Sequence, residues 1–288
     1  MTVSVSLGTS DPSTYKGSMM AVALGENPQL SGPLADLDRA MAGTLKSSLD
    51  ARDFRGARDE VFHLTGPPGG ARRIVLIGIG NPDDRRGALR RAAAIAARQA
   101  AKLGTGEIGW YSDDLEEDAE AVTVGLMAGA WEYRDLKSPP PANELREPLR
   151  TVTLVADDSA GLRAGIASGN AIAAGQGLAR TLAMMPGNLC TPEFLAATGT
   201  DIAARHGMKV TVLGRSEMEA EGMGALLCVA QGTPQDPKLI IIEYNGGEPG
   251  DKPVALVGKG LCFDTGGISI KPAPSMEDMK FDMCGAAG

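Results

Sequence analysis

The run Arg73-Ile74-Val75-Leu76-Ile77-Gly78, followed by Ile79-Gly80-Asn81-Pro82-Asp83-Asp84 and an Ala/Arg-rich segment ending at Leu103, decides the fold class. Four consecutive branched apolar side chains leave no polar face, the mark of a strand covered on both sides. The Gly/Asn/Pro/Asp turn ends that strand, and residues 84–103 read as a long helix. Working outward, residues 107–112 predict a strand, 115–133 a helix and 151–156 another strand. Upstream, Leu34, Leu37, Met41, Leu45 and Leu49 recur at helical spacing and predict one core-facing stripe. Strands alternating with helices predict an α/β domain with a largely parallel sheet. The proline cluster at 138–148 looks like a boundary, but residues 151–156 read better as the last strand of the first domain. The division is placed near Asp158.

A second α/β domain follows. Residues 161–185 carry an Ala/Gly-rich helical pattern that stops at Pro186-Gly187-Asn188. Thr191-Pro192-Glu193 predicts a new helix, with Thr as N-cap, Pro at the first helical position and Glu favoured by the dipole. Residues 209–213 predict a strand, 216–230 a helical segment, and 238–244 and 254–257 two more strands. Residues 282–288 look like the opening turns of a helix.

Composition bounds the function. The chain has 288 residues, enough for two ordinary cores, with 43% hydrophobic residues and a formal net charge of -8. Such a balance argues against a general grip on nucleic-acid phosphates or anionic lipid. The four cysteines, Cys190, Cys228, Cys262 and Cys284, show no C-x-x-C spacing and no secreted disulfide framework. The N-terminal residues form neither a basic nor an apolar leader, and no apolar run approaches membrane-spanning length. Cytoplasmic residence is the expectation.

The chemistry-bearing residues gather late in the chain, in Gly258-Lys259-Gly260, Phe263-Asp264-Thr265-Gly266-Gly267, Lys271-Pro272 and Met279-Lys280-Phe281-Asp282. In open α/β sheets, ligands sit just beyond the carboxyl ends of strands, where loops converge without breaking the ladder. Asp264 and Asp282, with Lys259, supply donors for a divalent cation, since carboxylate oxygens suit Mg2+, Mn2+ or Zn2+. A lysine joins such a set only as the neutral amine, which demands a strongly depressed pKa. Lys271 is a candidate for steadying an oxyanion as an ammonium. Spacing alone is served equally by a Lys259–Asp264 ion pair with Asp282 capping a helix, and composition favours Lys271 as a solvated lysine.

Other chemistries lack their motifs. Gly258-Lys259-Gly260 fails the phosphate-loop pattern, because Pro253 and Gly260 stand where glycine and Ser/Thr are required. Gly78-Ile79-Gly80 is an incomplete dinucleotide fingerprint with Asp83 in the third glycine position. His63 and His206, the only 2 histidines, lie far from the cluster in sequence and read as structural. H-E-x-x-H and G-x-S-x-G are both absent.

The segments Val257-Gly258-Lys259-Gly260, Phe263 to Pro272 and Met276 to Asp282 closely resemble the leucyl aminopeptidases, the cytosol aminopeptidase family with two metal ions. Weaker similarity covers residues 161–182, 188–195 and 230–244, whereas residues 1–155 match in pattern only. The resemblance implies two domains: a macro-domain-like α/β domain over residues 1–158, and the first part of a mixed-sheet α/β catalytic domain over 159–288. It implies Lys259, Asp264 and Asp282 as metal ligands, Lys271 as the catalytic group that polarises the substrate carbonyl, and Met279 as a lining of the pocket for the first side chain. Core packing is the plainer reading of Met279.

Two divalent ions, Mn2+ or Zn2+ with Mg2+ as a further candidate, are the implied cofactors. Peptides are the implied substrates and a homo-hexamer the implied assembly, with no membrane or nucleic-acid partner. The family's N-T-D-A-E-G-R segment does not occur, so the chain reads as a C-terminally truncated member that retains most of one metal position. Weak or absent catalysis by these residues alone is expected, together with uncovered apolar surface. Cys284 replaces a usual glycine and is expected to crowd a helix start. The competing reading is a non-catalytic scaffold or binding subunit derived from the same family.

Overall fold

The structure is a computed structural model and describes residues 3–8, 11–248 and 250–288. Two compact units, residues 1–177 and 178–288, are described separately. The first contains β1 (Ser4–Leu7), β2 (Met20–Gly25), α1 (Pro33–Ala40), α2 (Thr44–Asp50), β3 (Val61–Thr65), β4 (Arg73–Gly80), α3 (Arg85–Leu103), β5 (Glu107–Tyr111), α4 (Leu115–Ala130), β6 (Thr151–Leu154) and most of α5 (Ala160–Met184). Its six-stranded sheet has the order β1-β6-β5-β2-β4-β3, parallel throughout except that β3 runs antiparallel to β4. The protein is thus a two-domain α/β chain. The compact units divide within α5, while the division placed near Asp158 lies just before that helix.

Ile74, Val75, Leu76 and Ile77 of β4 are fully buried, as a strand covered on both faces requires. Pleating sends their side chains alternately to two cores. Ala21, Ala23, Val75, Ile77, Ile108 and Trp110 pack beneath the alanine row of α3, and Met20, Val22, Leu24, Ile74 and Leu76 pack with Leu34, Leu37, Met41 and Leu45 on the opposite face. Each fully buried leucine or isoleucine contributes about 1.5–3 kcal/mol. Helix α3 begins at Asp84, whose carboxylate accepts from the Gly87 amide at 2.9 Å, and ends at Gly104 with φ 65°.

Several elements depart from the sequence expectation. The apolar stripe from Leu34 to Leu49 is split into two helices, because Ala42 (φ 53°) and Gly43 (φ 79°) turn the chain left-handed. Strands β1, β2 and β3 were not anticipated, and α4 stops at Ala130 with Trp131 extended. Small residues let α4 lie directly on α3: a Cβ on Gly125 or Gly129 would overlap the carbonyls of Arg90 or Ala94.

The second unit holds the end of α5, α6 (Pro192–His206), β7 (Lys209–Leu213), α7 (Arg215–Ala220), α8 (Gly224–Val229), β8 (Leu239–Glu243), a 3-10 turn at Met276–Met283 and α9 (Cys284–Ala287). Thr191 caps α6 by accepting from Phe194 N at 3.2 Å, and Gly207 closes it with φ 64°. β7 and β8 pair antiparallel, and a small core of Leu182, Cys190, Leu195 and Met283 joins α5, α6 and the 3-10 turn. The helical segment expected at 216–230 is broken at Gly222 (φ 70°) into α7 and α8.

The strand expected at residues 254–257 is not formed. Val254, Leu256 and Val257 are 87%, 94% and 96% exposed. A strand exists only through its ladder. β8 is paired by β7 alone, and among the described residues nothing pairs the 254–257 run, so apolar composition by itself does not produce a strand there.

Two outcomes test this fold. Gly125→Val should destabilise the first unit by about 1–3 kcal/mol in urea unfolding, through overpacking between α3 and α4. Tyr15 is buried, and burial with Glu107 nearby pushes its phenol up to about 12. Above the unfolded phenol value of about 10 the folded chain therefore holds the proton more tightly than the unfolded chain, so stability falls as pH rises from about 10 to about 12. Tyr15→Phe should flatten that alkaline decline, read from urea midpoints across the range.

Candidate metal centre

Four charged heads meet at the end of the second unit. Asp264 Oδ2 lies 2.8 Å from Lys271 Nζ and 3.8 Å from Lys259 Nζ, while Asp282 Oδ2 lies 2.8 Å from Lys259 Nζ and 3.9 Å from Lys271 Nζ. Two carboxylates and two ammoniums thus alternate around one small space. Lys271 Nζ also reaches Met279 Sδ at 2.9 Å. All five residues singled out in the sequence are therefore brought together.

Backbone contacts create this convergence. A Cβ on Gly258 would overlap the Gly285 carbonyl and come within 2.6 Å of Ala286 Cα, so only glycine lets α9 settle on the 258–260 segment. The Ala286 amide then donates to the Lys259 carbonyl at 2.9 Å. Met283, fully buried in the small core, anchors the turn that carries Asp282. The loop between Asp264 and Lys271 folds back on itself: the Gly266 amide donates to Asp264 Oδ1 at 2.9 Å, and the Lys271 amide donates to the Thr265 carbonyl at 2.9 Å. Gly266 supports this with φ 89°. These glycine contacts were not singled out in the sequence, because Gly258 and Gly285 are distant along the chain. Cys284 is exposed with an ordinary helical φ of -62°, so the crowding expected there does not occur.

The ion pairs shift two of these groups. The Lys271 ammonium, helped by the Gly266 amide, draws the Asp264 carboxyl down to about 2, and the hydrogen bond from Lys259 to Asp282 raises the lysine. Carboxylate oxygens of Asp264 and Asp282 converge on the two ammoniums. The donor set fits a hard or borderline cation once Lys259 surrenders its proton or swings aside. Among the described residues no three His, Cys, Asp or Glu side chains form a group that could hold a metal ion.

Comparisons with known proteins bear on the family of the chain. Residues 177–288 match the catalytic domain of the cytosol aminopeptidase family, and residues 21–140 match its N-terminal domain. The chain belongs to the cytosol aminopeptidase family. A probable cytosol aminopeptidase of Alkalilimnicola ehrlichii is 37% identical over 95% of the chain and 57% of its own length. Another, from Nitrosococcus oceani, is 35% identical over 100% of the chain and 59% of its own length. The chain therefore spans somewhat more than half the length of these curated relatives. Among solved structures, a mutant of tomato leucine aminopeptidase superposes with TM-score 0.83 at 25% identity, covering 99% of this chain and 57% of its own. The bottromycin maturation enzyme BotP, in complex with Mn, superposes with TM-score 0.75 at 25% identity, covering 94% of this chain and 54% of its own.

Gly258→Val should lift α9 off the lysine segment. Hydrogen exchange of the Ala286 amide should accelerate at least about tenfold, equivalent to about 1.4 kcal/mol. Unchanged protection would mean that the glycine contact does not hold the turn.

Proposed function

We propose that this chain carries the N-terminal domain and part of the metal-dependent catalytic domain of an aminopeptidase that hydrolyses the N-terminal bond of peptides. The observation that supports it is the convergence of the Asp264 and Asp282 carboxylates with Lys259 and Lys271 inside 4 Å. Asp264, Asp282 and the neutral amine of Lys259 would hold a divalent ion, Mn2+ or Zn2+ with Mg2+ as a third candidate. When bound, such ions supply Lewis acidity and lower the pKa of water by many units.

The remaining steps belong to the chain's own groups. Lys271, which donates to Asp264 Oδ2 at 2.8 Å, would present N–H donors to the carbonyl oxygen as charge develops there. Met279, which touches Lys271, would line the place of the first side chain and favour apolar residues. A polarizable thioether adapts to several such side chains, so the preference would be broad. We place the domain division near Asp158, residence in the cytoplasm and a homo-hexameric assembly within the same reading. No helix among the described residues is long and apolar enough to cross a membrane.

One cation position, not two, is within reach of the donors described. These 288 residues should therefore bind one Mn2+ and turn over leucine amide weakly or not at all. Asp264→Asn and Asp282→Asn should each weaken Mn2+ binding at least about tenfold by calorimetry, since each removes a charged oxygen donor. Lys271→Met should leave binding intact or strengthen it, because it removes a competing ammonium. Turnover at a rate typical of enzymes, on the order of 1–1000 per second, would contradict the single-position reading. Absence of any cation binding would favour the scaffold alternative.

A further inference from the structure

A crevice opens in the first unit. Strand β2 lies between β5 and β4, and the chain leaves β4 through α3 to reach β5 on the far side of β2. Helices α1 and α2 cover one face of the sheet and α3 the other, so the connections diverge at the carboxyl end of β2. Such a switch point leaves a crevice between them. Here it is a cavity of about 100 Å³, lined in part by Gly25, Leu34, Ile79, Arg85, Ser112 and Asp113. At about 30 Å³ per water that is room for roughly three waters, hence for a ligand of a handful of heavy atoms and not for a dinucleotide.

The polar groups of the cavity are fixed yet incompletely used. Arg85 Nε donates to Asp118 Oδ2 at 2.9 Å and Nη2 donates to the Asp113 carbonyl at 2.6 Å, which leaves Nη1 unspent. The Asp118 side chain is only 4% exposed, so this pair holds the guanidinium in place and offsets its charge. Ser112 is 4% exposed. Its hydroxyl accepts from Trp110 Nε1 at 3.3 Å and, among the described residues, has no acceptor for its own hydrogen. Asp113 Oδ1 accepts from the Tyr111 hydroxyl at 3.0 Å, leaving Oδ2. Arg85, Ser112 and Asp113, each with polar valence to spare, therefore line a small space together with the apolar Leu34 and Ile79.

We propose that this cavity binds a free α-amino acid with a short side chain. Its carboxylate meets Arg85 Nη1 and the Ser112 hydroxyl, its ammonium meets Asp113, and its side chain rests on Leu34 and Ile79. A neighbouring depression that shares Arg85 is lined also by Arg86 and by six carboxylates, Asp83, Asp84, Asp114, Glu116, Glu117 and Asp118, a net acidic surround that disfavours polyphosphates. The ligand class coincides with what the proposed peptidase would release. The site itself does not rest on that reading, since it uses no residue of the metal centre.

The test is a calorimetric titration of the 288-residue chain with L-alanine, using acetate, ethylamine and AMP as comparators. Saturable binding of L-alanine in the millimolar range or tighter is expected, with each comparator at least about tenfold weaker. Asp113→Asn, which keeps an oxygen for Tyr111, should weaken L-alanine at least about tenfold, and Ser112→Ala should weaken it less. The amide resonances of Gly25 and Ser112 should move on titration with L-alanine and not with ethylamine. Arg85 is left intact, because its loss would strand the buried Asp118. The proposal is overturned by no saturation below about 10 mM, by acetate or AMP matching L-alanine, or by an Asp113→Asn variant that binds as the parent does.

Discussion

Two bare backbones in contact, at Gly258 and Gly285, are what the charged cluster of the second unit depends on. Ion pairs between solvent-screened side chains are too weak to hold four long side chains in one arrangement. The arrangement instead follows from the chain path. Glycine on both sides lets α9 lie against the lysine segment, the Ala286 amide fixes the register, and buried Met283 ties the turn to the small core. Lys259 and Asp282 then have little choice but to meet, and the folded-back loop after Asp264 delivers Lys271 to the same place.

The geometry shown is that of an ion-pair network. In the proposed reading, that network and a cation site are one constellation in two states of charge. With protonated lysines the carboxylates are neutralised internally, and a dication can enter only by displacing or deprotonating Lys259. Competition with the chain's own ammonium groups is thus part of the affinity of any cation here, because desolvating the carboxylates has already been offset by the lysines.

What could be read from the sequence was local. The β4–α3 unit was legible because an apolar run, a Gly/Asn/Pro/Asp turn and an Ala/Arg-rich segment carry their signals within a few residues. The Thr191-Pro192-Glu193 start of α6 was legible for the same reason. Strand β2 was not, although it is central in the sheet: its run is short and alanine-rich, and its burial comes from β4 and β5, which lie far along the chain. Residues 254–257 mark the opposite case, where a strong local signal finds no ladder to join. At the charged cluster the residue types and the loop chemistry were visible, whereas the distances rest on a contact between positions 258 and 285. The amino-acid pocket was silent in the sequence, because Arg85, Ser112 and Asp113 belong to no motif and gain meaning only from the crevice at the end of β2.

The bare apolar run at 254–257 has a colloidal consequence. It is short, rich in β-formers and fully presented to solvent, the composition that stacks chain upon chain into cross-strand assemblies. Pro253 and the flanking charges of Lys252 and Lys259 act as gatekeepers: the ring blocks one ladder bond, and like charges at both ends repel a second copy laid in register. Whenever Lys259 is neutralised, one of those two guards is withdrawn.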